Sequence, residues 1–184
     1  MRRMRMLGIA LLLAAIAAPM NPGAAGAATR KELERDARNA LKTLCAKNKA
    51  ARLLNEKARA VLVFPNIVKA GLMFGGQLGE GVLFKGAKPA GYYNTVAASY
   101  GFQAGVQTFG YALFFMNDGA LKYLDASDGF EVGVGPSIVV VDEGMGKSMT
   151  STTISQDVYA FIFSQEGLMA GAGIQGSKIT KISK

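Results

Sequence analysis

The sequence predicts an α+β domain, with one or two N-terminal basic helices followed by a Gly-rich antiparallel β-sheet curled into a barrel or sandwich. Three observations carry that expectation. Apolar residues recur at helical spacing over residues 29–59. Beyond Pro65 glycine becomes frequent and the pattern turns to period two. Turn signals such as Lys85-Gly86-Ala87-Lys88-Pro89 then separate many short strand candidates.

The helical segment opens with Thr29 and, three residues on, Glu32, a capping box. Leu33, Ala37, Ala40, Leu41 and Leu44 form one apolar stripe, and Arg30, Lys31, Arg35, Arg38 and Lys42 lie largely off it. Asn48 starts a second helix whose apolar side is Ala51, Leu54 and Ala58, and Pro65 ends whatever precedes it.

In the β-rich part the clearest alternation runs from Val96 to Thr108. Val96, Ala98, Tyr100, Phe102, Ala104 and Val106 are expected on the buried face, with a bend or bulge at Gly101. Further strands are expected at 72–74, 81–84, 91–95, 110–115, 130–134, 137–141, 158–163, 168–174 and 178–182. Asn117 or Asp118 is expected to cap a short helix through Leu124. Phe114, Phe115, Met116 and Met169 read as core.

The first residues have a different character. Arg2, Arg3 and Arg5 precede an apolar run from Leu7 to Ala18, and Ala25-Gly26-Ala27 follows as a small-residue cleavage site. Residues 1–27 therefore read as a secretory signal peptide. Residues 28–184 read as a single domain, with a basic helical segment at 28–59 and a β-rich core at 60–184. The expected location is outside the cytoplasm, periplasmic or peripheral to an outer membrane. One cysteine excludes an internal disulfide, and Cys45 reads as a small hydrophobe on a helix.

Charge is unevenly placed. Residues 28–59 carry ten Lys/Arg against four Asp/Glu, a net of +6, whereas residues 60–184 carry eight against nine. The surplus sits in the helical segment and points to an anionic partner there. These helices contain no aromatic residue, so the basic-plus-aromatic pattern of single-stranded nucleic-acid binding is missing and no nucleic-acid partner is expected.

Catalytic motifs are weak. The chain has no histidine, which removes the commonest general base and metal ligand. Gly171 to Gly176 match GxGxxG, but an alternating strand-like run follows where a dinucleotide site needs a helix. Gly144-Met145-Gly146-Lys147-Ser148 ends like a phosphate loop, but Val141 stands where that motif needs glycine, so Lys147 reads as a loop lysine. Asp125 with Asp128, and Asp142 with Glu143, read as turn residues. A non-catalytic domain without metal or cofactor is expected.

Five stretches in order resemble a known family. They are Ala60–Gly71 (AVLVFPNIVKAG), Gly91-Tyr92-Tyr93-Asn94, Ser99–Gly105 (SYGFQAG), Gly133-Val134-Gly135-Pro136, and Asp157–Ser164 (DVYAFIFS) with Gly167-Leu168-Met169-Ala170-Gly171. Together they are similar to the SYLF domain over roughly residues 32–182. The resemblance implies phospholipid binding through basic N-terminal residues, with actin binding in some eukaryotic relatives. An exported chain would meet neither actin nor much phosphoinositide, which leaves anionic phospholipid as the ligand class. The residues expected to contact lipid are Arg30, Lys31, Arg35, Arg38 and Lys42, with Lys69 from the stretch where the family pattern is densest. Two alternatives stand beside this reading. One is a small outer-membrane β-barrel, although the chain lacks Trp for an aromatic girdle. The other is a hydrolase built on carboxylates alone.

Overall fold

A computed structural model describes residues 28–72, 74–100, 105–126, 130–131, 135–167 and 176–184. The signal-peptide segment, Phe102, Ala104, the bend expected at Gly101, the strand expected at 168–174, Asp128 and most of the GxGxxG run lie outside the described residues.

Two helices come first, α1 (Arg30–Lys47) and α2 (Lys49–Lys57). The chain then forms four long strands, β1 (Ala60–Leu72), β2 (Phe74–Lys85), β3 (Lys88–Tyr100) and β4 (Gly105–Phe115). Helix α3 (Asp118–Ala126), short strands β5 (Phe130–Glu131) and β6 (Ile138–Val140), and helix α4 (Glu143–Ser148) follow. Strands β7 (Val158–Gly167) and β8 (Lys178–Ile182) complete the domain. Among the described residues the eight strands form one sheet in the order β5-β8-β3-β2-β1-β4-β7-β6. Strands β1 to β4 stand in the order 3-2-1-4, a Greek key. The described pairings are antiparallel except β6 with β7, so the sheet is mixed rather than wholly antiparallel.

The sheet is curled into a half-barrel. Phe115 on β4 and Phe130 on β5 are far apart in strand order, yet their ring centroids lie 6.1 Å apart across the concave face. That face holds Leu62, Phe64, Ile67, Tyr93, Phe109, Tyr111 and Leu113, closed over by Ala120, Leu121 and Leu124 of α3. The convex face carries α1 and α2, whose Leu33, Ala37, Leu44, Ala51 and Leu54 pack on Val61, Val63, Val82, Phe84, Ala112 and Phe114. Because both faces are covered here, Ala60–Phe64 and Phe109–Phe115 are buried at every position. Such runs lose the alternation that marks a half-exposed strand.

Pro65 does not end an element. It lies inside β1, where the register with β2 shifts between Val63 and Asn66 and that with β4 between Phe64 and Ile67. Proline has no N–H to give to a ladder, and a bulge is the place where none is needed. Close approach is built in beside it. A Cβ on Gly81 would sit 2.7 Å from Cδ1 of Phe64, so glycine gives that ring its space. The Phe64 ring in turn lies tilted against that of Tyr111, with centroids 4.7 Å apart.

The alternation around Val96–Val106 runs opposite to the expectation. Val96 is 52% exposed and Val106 is 55% exposed, while Thr95 and Gln107 are buried. Thr95 and Gln107 face the concave interior with Gln77 of the neighbouring strand, and Thr95 and Gln77 find partners there. Tyr111 donates its hydroxyl to Thr95 Oγ1 (2.9 Å), and Gln77 donates from Nε2 to Ser177 Oγ (2.8 Å). Burial pushes the Tyr111 phenol well above its usual value, and Tyr93, which donates to Asp125 (2.9 Å), is raised by burial and then by that carboxylate.

Smaller expectations divide. Asn117 caps α3, accepting from Ala120 N at 2.9 Å. Leu72 and Phe74 end β1 and begin β2, so 72–74 is not a separate strand. Asp125 lies on α3 and not in a turn. Asp142 caps α4, accepting from Met145 N (2.7 Å), so 142–148 is a capped helical turn and Lys147 is on its last turn rather than in a loop. Cys45 is half-buried on α1, and burial raises its thiol.

The corrected register makes a sharp contrast. Phe109→Ala should cost about 3–5 kcal/mol, as large-to-small changes in a full core do. Val96→Asp and Val106→Asp, one or a few residues from buried positions, should stay within roughly 1 kcal/mol. Urea unfolding of the three variants measures this. Collapse of the two valine variants would restore the opposite register.

Candidate lipid-binding surface

Helix α1 begins where the sequence says it should. Thr29 Oγ1 accepts from Glu32 N (3.4 Å), and Glu32 Oε2 accepts from Thr29 N (3.0 Å) and Thr29 Oγ1 (2.7 Å). The Thr29 hydroxyl, then its backbone N–H, holds the Glu32 carboxyl below its usual value. At the other end Asn48 serves two helices. Its N–H donates to Leu44 O (2.9 Å), and its side chain accepts from Ala51 N (3.0 Å) to start α2. These caps fix the direction in which α1 crosses the sheet, and the apolar stripe fixes its rotation. The basic side chains are thereby left facing solvent.

Arg30, Lys31, Arg35, Arg38 and Lys42 are all exposed and all on α1. They differ in their neighbours. The Arg30 guanidinium lies 5.4 Å over the Tyr92 ring, whose hydroxyl donates to Glu34. Arg38 lies 5.0 Å over the Phe84 ring and donates from Nη1 to Ala87 O (2.9 Å). Arg35 pairs with Asp36 (2.9 Å) in an open position, where solvent screening leaves an ion pair little net strength. Lys31 and Lys42 face solvent without such contacts among the described residues. Lys69 is not part of this group. It sits half-buried on β1, opposite Gln77 on one side and Gln107 on the other, both of which are buried.

Two features were not read from the sequence. The bond from Arg38 to Ala87 brings α1 to the β2–β3 turn, and Lys85 and Lys88 at that turn are exposed and directly paired in register. The basic surface therefore extends past the helix. Counting charge by segment concealed this, because residues 60–184 have no basic surplus. The second feature is the convex face beyond α1. A row of Asn66, Glu80 and Asn94 crosses three strands there, with Lys184 bonded to Glu80 (2.8 Å) and to Ala28 O (2.6 Å). Past that row lie Val68, Leu78 and Val96, exposed and in register with one another. A groove of about 500 Å³ runs between them and α1, lined also by Leu33, Asp36 and Pro65.

The alternatives can now be placed against this geometry. The sheet is a half-barrel whose convex side is partly covered by helices, which is not the closed, lipid-facing wall of a transmembrane barrel. No described helix is long and apolar enough to cross a membrane. Fold and surface together define an α+β binding module, with a basic ridge laid across a half-barrel. Comparison adds a family match. The family model described as Ysc84, Las17-binding protein actin regulator, matches residues 96–184. That match is to the family of the SYLF domain, over residues 96–184. At family level this is a lipid- or actin-binding type of domain. No curated protein matches the chain.

The neighbours of the basic residues predict different costs on removal. Arg38→Ala should lower stability by about 0.5–1 kcal/mol, the worth of an exposed cation–π contact. Lys42→Ala should leave the unfolding midpoint unchanged. Equal midpoints for the two variants would mean that the Arg38 contacts contribute nothing.

Proposed function

We propose that this chain is a non-catalytic binding domain for anionic phospholipid surfaces, acting outside the cytoplasm, with the solvent face of α1 as its electrostatic contact. One observation carries the reading. The helix docks by its apolar stripe, so Arg30, Lys31, Arg35, Arg38 and Lys42 are held together on the outside, and Lys85 and Lys88 lie beside Arg38. Each Lys or Arg near a charged bilayer is worth about 1 kcal/mol, so binding needs several at once. Fixing them on one docked helix removes most of the entropy that a flexible basic tail loses on binding. The apolar stripe itself is consumed in packing on the sheet, so α1 attracts a membrane by charge without burying its own apolar side there. Lys69 stands apart from this surface. The family description names actin, which an exported chain would not meet.

Export rests on the Arg2–Arg5 cluster, the apolar run and the Ala25-Gly26-Ala27 site. N-terminal sequencing of protein recovered from the extracytoplasmic fraction should begin near Ala28. A chain that keeps Met1 and stays in the cytosol would contradict this.

Replacing Arg30, Lys31, Arg35, Arg38 and Lys42 by Glu turns the segment's net charge from +6 to −4. Co-sedimentation with phosphatidylglycerol-containing vesicles should be abolished while circular dichroism shows the sheet intact. Wild-type binding should weaken as salt shortens the Debye length from about 10 Å at 0.1 M to about 3 Å at 1 M. Undiminished pelleting of the five-fold variant would show that α1 is not the contact.

A further inference from the structure

We infer that the uncovered part of the convex face is a second, apolar membrane contact, one that enters the hydrocarbon edge of the bilayer. The inference rests on the membrane-binding reading above but concerns different residues. Leu78 is 65% exposed, Val106 55%, Val96 52% and Val68 37%. Register makes them one patch. Val68 pairs with Leu78 and Leu78 with Val96, while Ala70 in the next row pairs with Val106. Scattered exposed aliphatics are ordinary, but a contiguous set on one face marks an interaction surface.

The occupant follows from charge and shape. Residues 67–79 and 95–108 contain a single charged side chain, Lys69, and no acid. Lys69 projects to the opposite, concave side with Gln77 and Gln107, so the convex patch is itself uncharged. Lys178 is in register with Val96 at one rim, and Glu166 is in register with Thr108 at the other. An apolar patch with charges only at its rims fits hydrocarbon edged by headgroups. The polar row of Asn66, Glu80 and Asn94 marks where the apolar surface stops. Two residues along a strand rise about 7 Å, which fits the 5–10 Å depth of an interfacial contact. A second copy of the chain fits poorly. The face is convex and α1 stands on it as a ridge about 10 Å across, so two such faces cannot close to the roughly 10 Å of packed sheets. Fluid acyl chains need no complementary shape.

The test is a fluorescent probe on Leu78→Cys in a Cys45→Ala background, mixed with phosphatidylcholine vesicles with and without phosphatidylglycerol. The Leu78 probe should shift to the blue and be quenched by brominated acyl chains, and a probe on Lys122→Cys of α3 should do neither. Leu78→Asn with Val96→Asn, both at exposed positions, should weaken the binding that survives high salt by about tenfold or more, with the melting temperature kept. Pelleting without quenching at Leu78 would overturn the insertion and leave the basic surface standing. Quenching that persists on phosphatidylcholine after charge reversal of α1, with pelleting on anionic vesicles unchanged, would support insertion and overturn the basic surface. Neither pelleting nor quenching would overturn both. Light scattering that shows a dimer broken by the Asn pair would also overturn the insertion, in favour of a second copy.

Discussion

The central strands are longer than their helical cover, and the rest of the molecule follows from that mismatch. A thirteen-residue strand such as β1 spans roughly 43 Å. Helices α1 and α2 pack on the convex face over Val61, Val63, Val82, Phe84, Ala112 and Phe114. Near the start of β1 the sheet is therefore buried on both sides. Towards its end only the concave side is covered. The bulge at Pro65 stands at the boundary between these two environments, with Asn66 as the first convex residue beyond it.

That boundary divides the chemistry. Below it, both faces are apolar, and the phenylalanine rings of Phe64, Phe109, Phe114 and Phe115 are wholly buried. Above it, the polarity is reversed relative to a simple half-buried sheet. Thr95, Gln77, Gln107 and Ser177 point inward and aliphatic side chains point outward. Two of the inward polar groups are satisfied by each other, through the bond from Gln77 to Ser177. The Gln107 Oε1 atom has no partner among the described residues, so this end of the core is less completely paired than the rest. A sequence that keeps aliphatic residues in water and polar ones inside gives up stability there, and such sites are where function is to be sought.

The legible part of the fold was the part governed by local rules. The Thr29–Glu32 box, the stripe from Leu33 to Leu44, the second cap at Asn48 and the strand at 178–182 all depend on neighbours a few residues away, and the structure has each of them. What could not be read depended on what lies across the sheet. Ala60–Phe64 carries no alternation because two layers bury it, so nothing marked it as a strand. Val96–Val106 does alternate, but alternation states only that the two faces differ. Which face meets solvent was decided by how far α1 and α3 extend. The same holds for the basic surface. Its five helical members were visible as the off-stripe residues of α1, whereas Lys85 and Lys88 joined only when the β2–β3 turn folded back against Arg38. Lys69 belonged to a dense family pattern, yet its environment is the half-buried end of β1 and not the helix.

The most direct test of a membrane contact on the convex face is hydrogen exchange of the full chain with and without vesicles containing phosphatidylglycerol. Slowed exchange should be confined to α1 and to the β1–β3 segments around Val68, Leu78 and Val96, while α3 on the concave face exchanges as it does in free solution. Protection that instead falls on α3 and β5, with α1 unchanged, would contradict the assignment of the convex face.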